Sequence, residues 1–365
     1  MRYFIPFLAL LLFACQGEAP TSSQEEAQIS SSLELRQAQG FKVKAIENGQ
    51  YLVEIGEQRF CLYPKTQEIN KRLENYTYLS YPLDKVVCKS SSAWAMIAAL
   101  SQEEKVIAIS DKRDFYSPYL QEKDLPELGR EQLNYEKLLL LSPQLVIGYG
   151  ASPDPKLAEL QIPELRLAEY AEASPLAQME WIRLFGLLFN QDEQAKSFVE
   201  DRFAEYQKLQ TIALTAQEQA SVLLGCQFGG GWYLPAGESF MAQILADAQA
   251  NYIWKDKAGK SGFPLDFEAV FSKAQNADYW LNLGEFHSYA ELAANNPRYA
   301  LFAPFKAQKI YHYDRRLGPS GGYDFFESAV LYPDRILGDL IHIFHPELLP
   351  NWELYYYRKW EDAQD

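Results

Sequence analysis

Gly318, Ser320 and Gly322 fall in the G-x-S-x-G spacing that, in a serine hydrolase, turns a strand sharply into a helix and offers the serine hydroxyl to a general base. Asp334 and then His342 or His345 follow in the order such an enzyme would need. The surrounding residues work against that chemistry. Asp314 to Leu317 intervene after the apolar run "KIYHY", and Pro319 removes a backbone donor just before Ser320. His342 and His345 also have a spacing that can hold a metal ion near a helix end. No histidine precedes His287, however, so the first half of the chain offers only carboxylates and Cys88, and direct coordination of a bare metal is not expected.

Nucleotide motifs fail on single positions. "AGKSG" at 258–262 would need a glycine at 254, which is Trp254, and "GGG" at 229–231 has Leu234 where a third dinucleotide-binding glycine belongs. Aromatic and basic residues make a stronger pattern. Trp94, Tyr116, Tyr149, Trp232, Tyr233, Phe263, Tyr323 and Phe325 lie in or beside predicted strand-to-helix loops, where core packing is not the obvious demand. Lys112, Arg113, Arg130, Arg315 and Arg316 share those loops in an otherwise acidic chain, a placement that suits a charged ligand. One further pattern occurs twice. "LNYEKLLLLSPQLVIGYG" (133–150) and "LDFEAVFSKAQNADYWLNLG" (265–284) each read as a helix and a short strand ending in glycine, with Glu136 or Glu268 just past a helix N-cap, Asn134 or Asp266.

The elements that must position these residues follow from periodicity. Apolar alternation around Asn48-Gly49 predicts a small antiparallel meander over 41–64, within a β-rich appendage at 41–75. Strands and helices then alternate over 76–174, a helical stretch at 175–217 keeps a 3.6-residue period, and α/β grammar returns over 218–365. The expected fold is α/β: two Rossmann-like lobes joined by a long backbone helix, with a cleft between facing strand-to-helix loops. Cys61, Cys88 and Cys226 show no CxxC spacing and read as free thiols, with any pairing of Cys61 left open.

Composition and the N-terminus bound the setting. With 365 residues, 48% of them hydrophobic, the chain has material for more than one core, and a net charge of -15 argues against nucleic acid or anionic membrane as a partner. Arg2 precedes an apolar run from Tyr3 to Ala14, too short to span a bilayer but suited to a signal peptide over 1–14. "LFAC" resembles a lipobox that would acylate Cys15, and the polar stretch over 15–40 reads as a tether.

The order of these features resembles the substrate-binding proteins of ABC importers for iron-siderophore, haem or cobalamin, the helical-backbone metal receptors. The resemblance covers roughly 76–350 and rests on "VVCKSSSAW", "ELGREQ" before the first glutamate unit, "CQFGGGWYLP" and "YDRRLGPSGGYDFF". It implies a non-enzymatic, monomeric, exported lipoprotein on the periplasmic or cell-surface face, without a resident cofactor, whose cargo is a metal chelate. An iron-siderophore or haem is the first expectation and a corrinoid the second. It further implies ligand contacts from Trp94, Arg130, Trp232, Tyr233, Arg315, Tyr323 and Phe325, and docking of Glu136 and Glu268 on arginines of two permease subunits.

Overall fold

The computed structural model describes residues 31–69, 72–130, 132–150 and 152–361. The lipobox with Cys15 and the first part of the tether lie outside the described residues. No helix among those described is long and apolar enough to cross a membrane.

The N-terminal sheet comprises β1 (Ser31–Ser32), β2 (Lys42–Ala45), β3 (Tyr51–Ile55), β4 (Gln58–Pro64) and β5 (Thr77–Tyr81). Neighbours in that sequence pair side by side, antiparallel except for the parallel pair β4 and β5. Asn48 and Gly49, with φ of 60° and 73°, make the predicted turn between β2 and β3. The sheet is wider than the predicted meander: β1 falls in the predicted tether, and β5 lies beyond the boundary drawn at residue 75. The segment between β1 and β2 is also tied down. Backbone N–H groups of Arg36, Gln37 and Ala38 donate to the Glu180 carboxylate, and those of Gln39 and Gly40 donate to Glu172. A Cβ on Gly40 would lie 2.7 Å from the Trp181 ring, so only glycine passes there without displacing it.

The first lobe runs β6 (Val86–Cys88), α1 (Ser91–Ala99), β7 (Val106–Ile109), α2 (Pro118–Glu122), α3 (Tyr135–Leu141), β8 (Leu145–Tyr149), α4 (Pro155–Glu159) and β9 (Glu164–Leu167). Its strands form a parallel sheet in the order β7-β6-β8-β9. Val86, Val87 and Cys88 are all buried, as a strand covered on both faces requires.

Helices α5 (Pro175–Met179), α6 (Ile182–Phe189) and α7 (Asp192–Ala213) follow. The last is 22 residues long, about 33 Å at 1.5 Å per residue. Its buried stripe, Ala195, Val199, Phe203, Tyr206 and Leu209, keeps the helical period that sequence displayed. Arg202 pairs with Asp334 at 2.7 Å, and the Tyr206 hydroxyl donates to Asp247 at 2.6 Å, so this helix is bonded directly to the second lobe.

That lobe runs β10 (Ser221–Leu224), β11 (Gln227–Phe228), β12 (Gly231–Pro235), α8 (Phe240–Asp247), β13 (Asn251–Tyr252), β14 (Gly262–Leu265), α9 (Phe267–Ala274), β15 (Tyr279–Leu281), α10 (Tyr289–Asn295), α11 (Ala303–Lys306), β16 (Ile310–His312), α12 (Asp324–Glu327), α13 (Pro333–Phe344) and β17 (Arg358–Lys359). Its main sheet has the order β13-β10-β15-β16-β17, parallel except for β17, and β11, β12 and β14 make a small antiparallel sheet beside it. Both parallel sheets thus place their first strand between their second and third. That order reverses the direction in which successive strands are laid down across the sheet and opens a crevice at the strands' carboxyl ends. The chain builds the unit twice, once for each wall.

A candidate ligand cleft between the lobes

The loop after β16 reaches across to the first lobe. A Cβ on Gly322 would lie 2.3 Å from the Phe115 backbone, and one on Gly318 would lie 3.2 Å from that of Tyr116. Ser91 Oγ donates to the Phe326 carbonyl at 3.0 Å, and Ser320 Oγ donates to Gln121 Oε1 at 2.5 Å. Glu327 completes the seam, accepting from the backbone N–H groups of Tyr116 at 2.8 Å and Ser117 at 3.3 Å. A groove of about 410 Å³ beside the seam is lined by residues of both lobes, among them Tyr116, Arg316, Tyr332, Arg335 and Tyr355. Arg316 stacks over Tyr116 and Tyr355 and pairs with Asp324, which fixes its charge at the seam.

Burial pushes Glu327 up to about 8 from its ordinary 4.5, opposed by its two backbone donors and reinforced by Asp324. The folded chain therefore holds this proton more tightly than the unfolded chain. Its stabilising contribution is complete below about pH 4.5 and is lost as pH rises towards about 8. The thermal midpoint should accordingly fall more steeply between about pH 5 and pH 8 in the parent than in Glu327→Gln, whose amide does not titrate. Parallel midpoint-against-pH curves for the two proteins would remove this assignment.

A polar cluster lies at the carboxyl ends of β15 and β16. His287 Nδ1–H donates to Asp314 Oδ2 at 2.8 Å, and Arg358 Nη2 donates to the same oxygen at 2.6 Å. Arg358 is delivered there by the C-terminal segment, which Asp339 on α13 anchors by accepting backbone N–H groups of Tyr355, Tyr356 and Tyr357. The Leu283 N–H donates to His312 Nδ1 at 3.1 Å, and burial pushes His312 down to about 4, so this ring is neutral near pH 7. The Tyr323 ring lies 6.2 Å from that of His287 at an interplanar angle of 13°, its hydroxyl 3.4 Å from His287 Nε2. His287, His312 and Asp314 offer metal-ligating atoms within 4.8 Å of one another. Sequence reasoning, which weighed only His342 and His345, missed this group. His342 and His345 instead hydrogen-bond separate backbone carbonyls, those of Leu349 and Gln249.

Of the ligand residues expected from sequence, Tyr323 and Phe325 come together, both within reach of Tyr313, which stacks on Phe325 at 4.8 Å. Tyr233 is exposed on β12. Arg130 is exposed and paired with Asp114 at 2.6 Å, and Arg315 is exposed beside the cluster. Trp94 lines the interlobe groove from its floor, and Trp232 needs correction. Trp94 lies beneath the groove with 1% of its surface exposed, its ring against Tyr119. Trp232 is wholly buried, stacked on Trp280 at 5.8 Å, with its Nε1–H donating to the Leu224 carbonyl. Trp232 is a core residue, because the alternation of β12 turns it inward. The hydrolase arrangement is not assembled either: Ser320 is bonded to Gln121 and Asp334 to Arg202.

Glu136 and Glu268 are both exposed in first turns, with Asn134 and Asp266 capping their helices as the sequence indicated. They differ in one respect. Glu268 pairs with Arg298 at 2.7 Å, and Glu136 has no ion pair among the described residues.

Comparison with known proteins fits this architecture. An uncharacterized lipoprotein of Methanocaldococcus jannaschii is 24% identical over 325 residues, covering 83% of this chain and 76% of its own. A periplasmic haem-binding protein from Pseudomonas aeruginosa shares the fold with a TM-score of 0.58 at 18% identity, covering 77% of this chain and 99% of its own. An ABC-type Fe3+-hydroxamate transport protein from Saccharomonospora viridis does so with a TM-score of 0.56 at 18% identity, covering 73% and 93%. The profile of the family described as periplasmic binding protein matches residues 86–317, most of both lobes, and the chain belongs to that family.

Proposed function

We propose that this chain captures a metal chelate in the interlobe cleft and delivers it to an ABC permease, held at the membrane by an acylated Cys15. It would act outside the cytoplasmic membrane, on the periplasmic or cell-surface face, as a binding protein rather than an enzyme. The observation that carries the reading is the seam between the loops that follow β7 and β16, which brings the carboxyl ends of the two parallel sheets together beside a groove lined by aromatic and charged side chains of both lobes. Tyr233, Arg130, Arg315, Tyr323 and Phe325 are the proposed contacts, and Glu136 and Glu268 the proposed permease anchors. The haem and Fe3+-hydroxamate named for the structural neighbours lend support to an iron chelate, with a corrinoid as the second choice.

Calorimetric titration of the purified chain tests this. A ferric siderophore, haem or cobalamin should bind saturably, and free ferric or zinc ion should give little heat. Tight zinc binding with no response to any chelate would overturn the reading.

A further inference from the structure

In the polar cluster His287 Nε2 is the ligating atom on a partly exposed side chain, whereas Asp314 Oδ1 and His312 Nε2, which lack hydrogen-bond partners among the described residues, are buried. Asp314, paired with Arg358, can only accept, so the hydrogen bond from His287 fixes the imidazole proton on Nδ1 and leaves a lone pair on Nε2. A carboxylate behind an imidazole is the arrangement that orients a metal-binding histidine and raises its basicity. With 37% of its side chain exposed, His287 is also within reach of a ligand, and among the described residues its Nε2 has the Tyr323 hydroxyl at 3.4 Å as its hydrogen-bond neighbour.

The neighbouring donors are not equivalent. His312 accepts the Leu283 N–H on Nδ1, which places its own proton on Nε2, and of the Asp314 oxygens Oδ2 already receives two hydrogen bonds while Oδ1, though unpartnered among the described residues, is buried out of reach of a bulky chelate. Proximity of the three side chains therefore overstates what they can coordinate. A bare zinc ion wants about four ligands, usually three or four of them from protein. A metal already held in the plane of a macrocycle lacks only axial ligands.

We infer that the cleft selects chelates whose metal keeps an exchangeable axial position, a metalloporphyrin or a corrinoid, and that His287 Nε2 supplies the axial ligand. The Nε2 lone pair forms the bond to the metal, the water or hydroxide that held the position leaves, and no electron changes hands. Tyr323, stacked beside the imidazole, gives up its contact with Nε2 as the metal arrives. A ferric complex whose six positions are filled by its own oxygens gains nothing from His287. The inference rests on the chelate-binding reading above.

Its test is absorbance titration of the full chain and of His287→Ala with ferric protoporphyrin IX, aquocobalamin and a hexadentate ferric trihydroxamate. Ferric porphyrin should bind the parent with the spectrum of nitrogen-ligated iron. His287→Ala should lose that spectrum and bind at least about tenfold more weakly, and millimolar imidazole should restore the spectrum without the side chain. The trihydroxamate should bind both proteins alike and more weakly than the porphyrin. An unchanged porphyrin spectrum and affinity in His287→Ala, or a trihydroxamate bound more tightly than the porphyrin, would overturn the axial role and leave the chelate reading standing. Binding of none of the three would overturn both. Since His287 is partly exposed, an unchanged thermal midpoint for the variant separates lost coordination from lost folding.

Discussion

Replacing Glu136 and Glu268 together by alanine is expected to abolish stimulation of a reconstituted importer's ATPase, while chelate affinity and thermal midpoint stay near those of the parent. Both carboxylates are exposed, and their helices keep the N-caps Asn134 and Asp266, so folding loses only a weak helix-dipole interaction. On the proposed docking role, the complex with the permease loses two charge anchors. Removing one partner of a desolvated pair usually costs far more than tenfold in affinity, so the double variant should lose more than tenfold in apparent affinity for the permease. The single variants should not be equal. Glu268 must exchange its contact with Arg298, which itself lies over the Phe267 ring at 3.9 Å, before it can meet a permease arginine. Glu136 has no ion pair to exchange among the described residues, and Leu140 beside it is 87% exposed, adding apolar surface to the same face. Glu136→Ala should therefore be the more severe single change. Normal stimulation by the double variant would remove the docking role.

Trp232→Ala should destabilise the second lobe by about 3–5 kcal/mol, the range for deleting a large buried aromatic side chain. The ring fills the centre of an aromatic group with Phe267, Trp280, Tyr299 and Phe302, and its Nε1–H holds the Leu224 carbonyl at the end of β10. Deleting it creates a cavity and orphans that carbonyl together. Chemical denaturation would show the loss as a lower midpoint. Tyr233→Ala, one residue along the same strand and 58% exposed, should leave the midpoint almost unchanged. A Trp232→Ala protein as stable as the parent but weak in ligand binding would contradict the core assignment.

These two neighbours show where sequence was legible and where it was not. Strand alternation assigns Trp232 and Tyr233 to opposite faces, but five residues of β12 inside a glycine-rich stretch read as a loop, so the alternation was invisible. The glutamate helices were readable because each combines an N-cap, an apolar period and a following strand within about twenty residues. β5 was missed as part of the N-terminal sheet because its partner β4 pairs with it in parallel across a connection that carries no turn signature. His287, Asp314 and Arg358 come from three separate segments, and only tertiary structure brings them together. One local signal pointed their way: "HYD" closes the last parallel strand, and residues just past the carboxyl end of such a strand face the crevice. The anchored segment before β2 carried no signal, since Glu172 and Glu180 meet backbone groups whose partners no side-chain pattern reveals.

The most direct test of a chelate-carrying role is native mass spectrometry of the protein isolated from iron-limited cells that make it. One metal chelate per chain, displaced by an excess of the same chelate, is the predicted result. A chain that carries only a bare metal ion, or a metal-free peptide or sugar, would contradict the account.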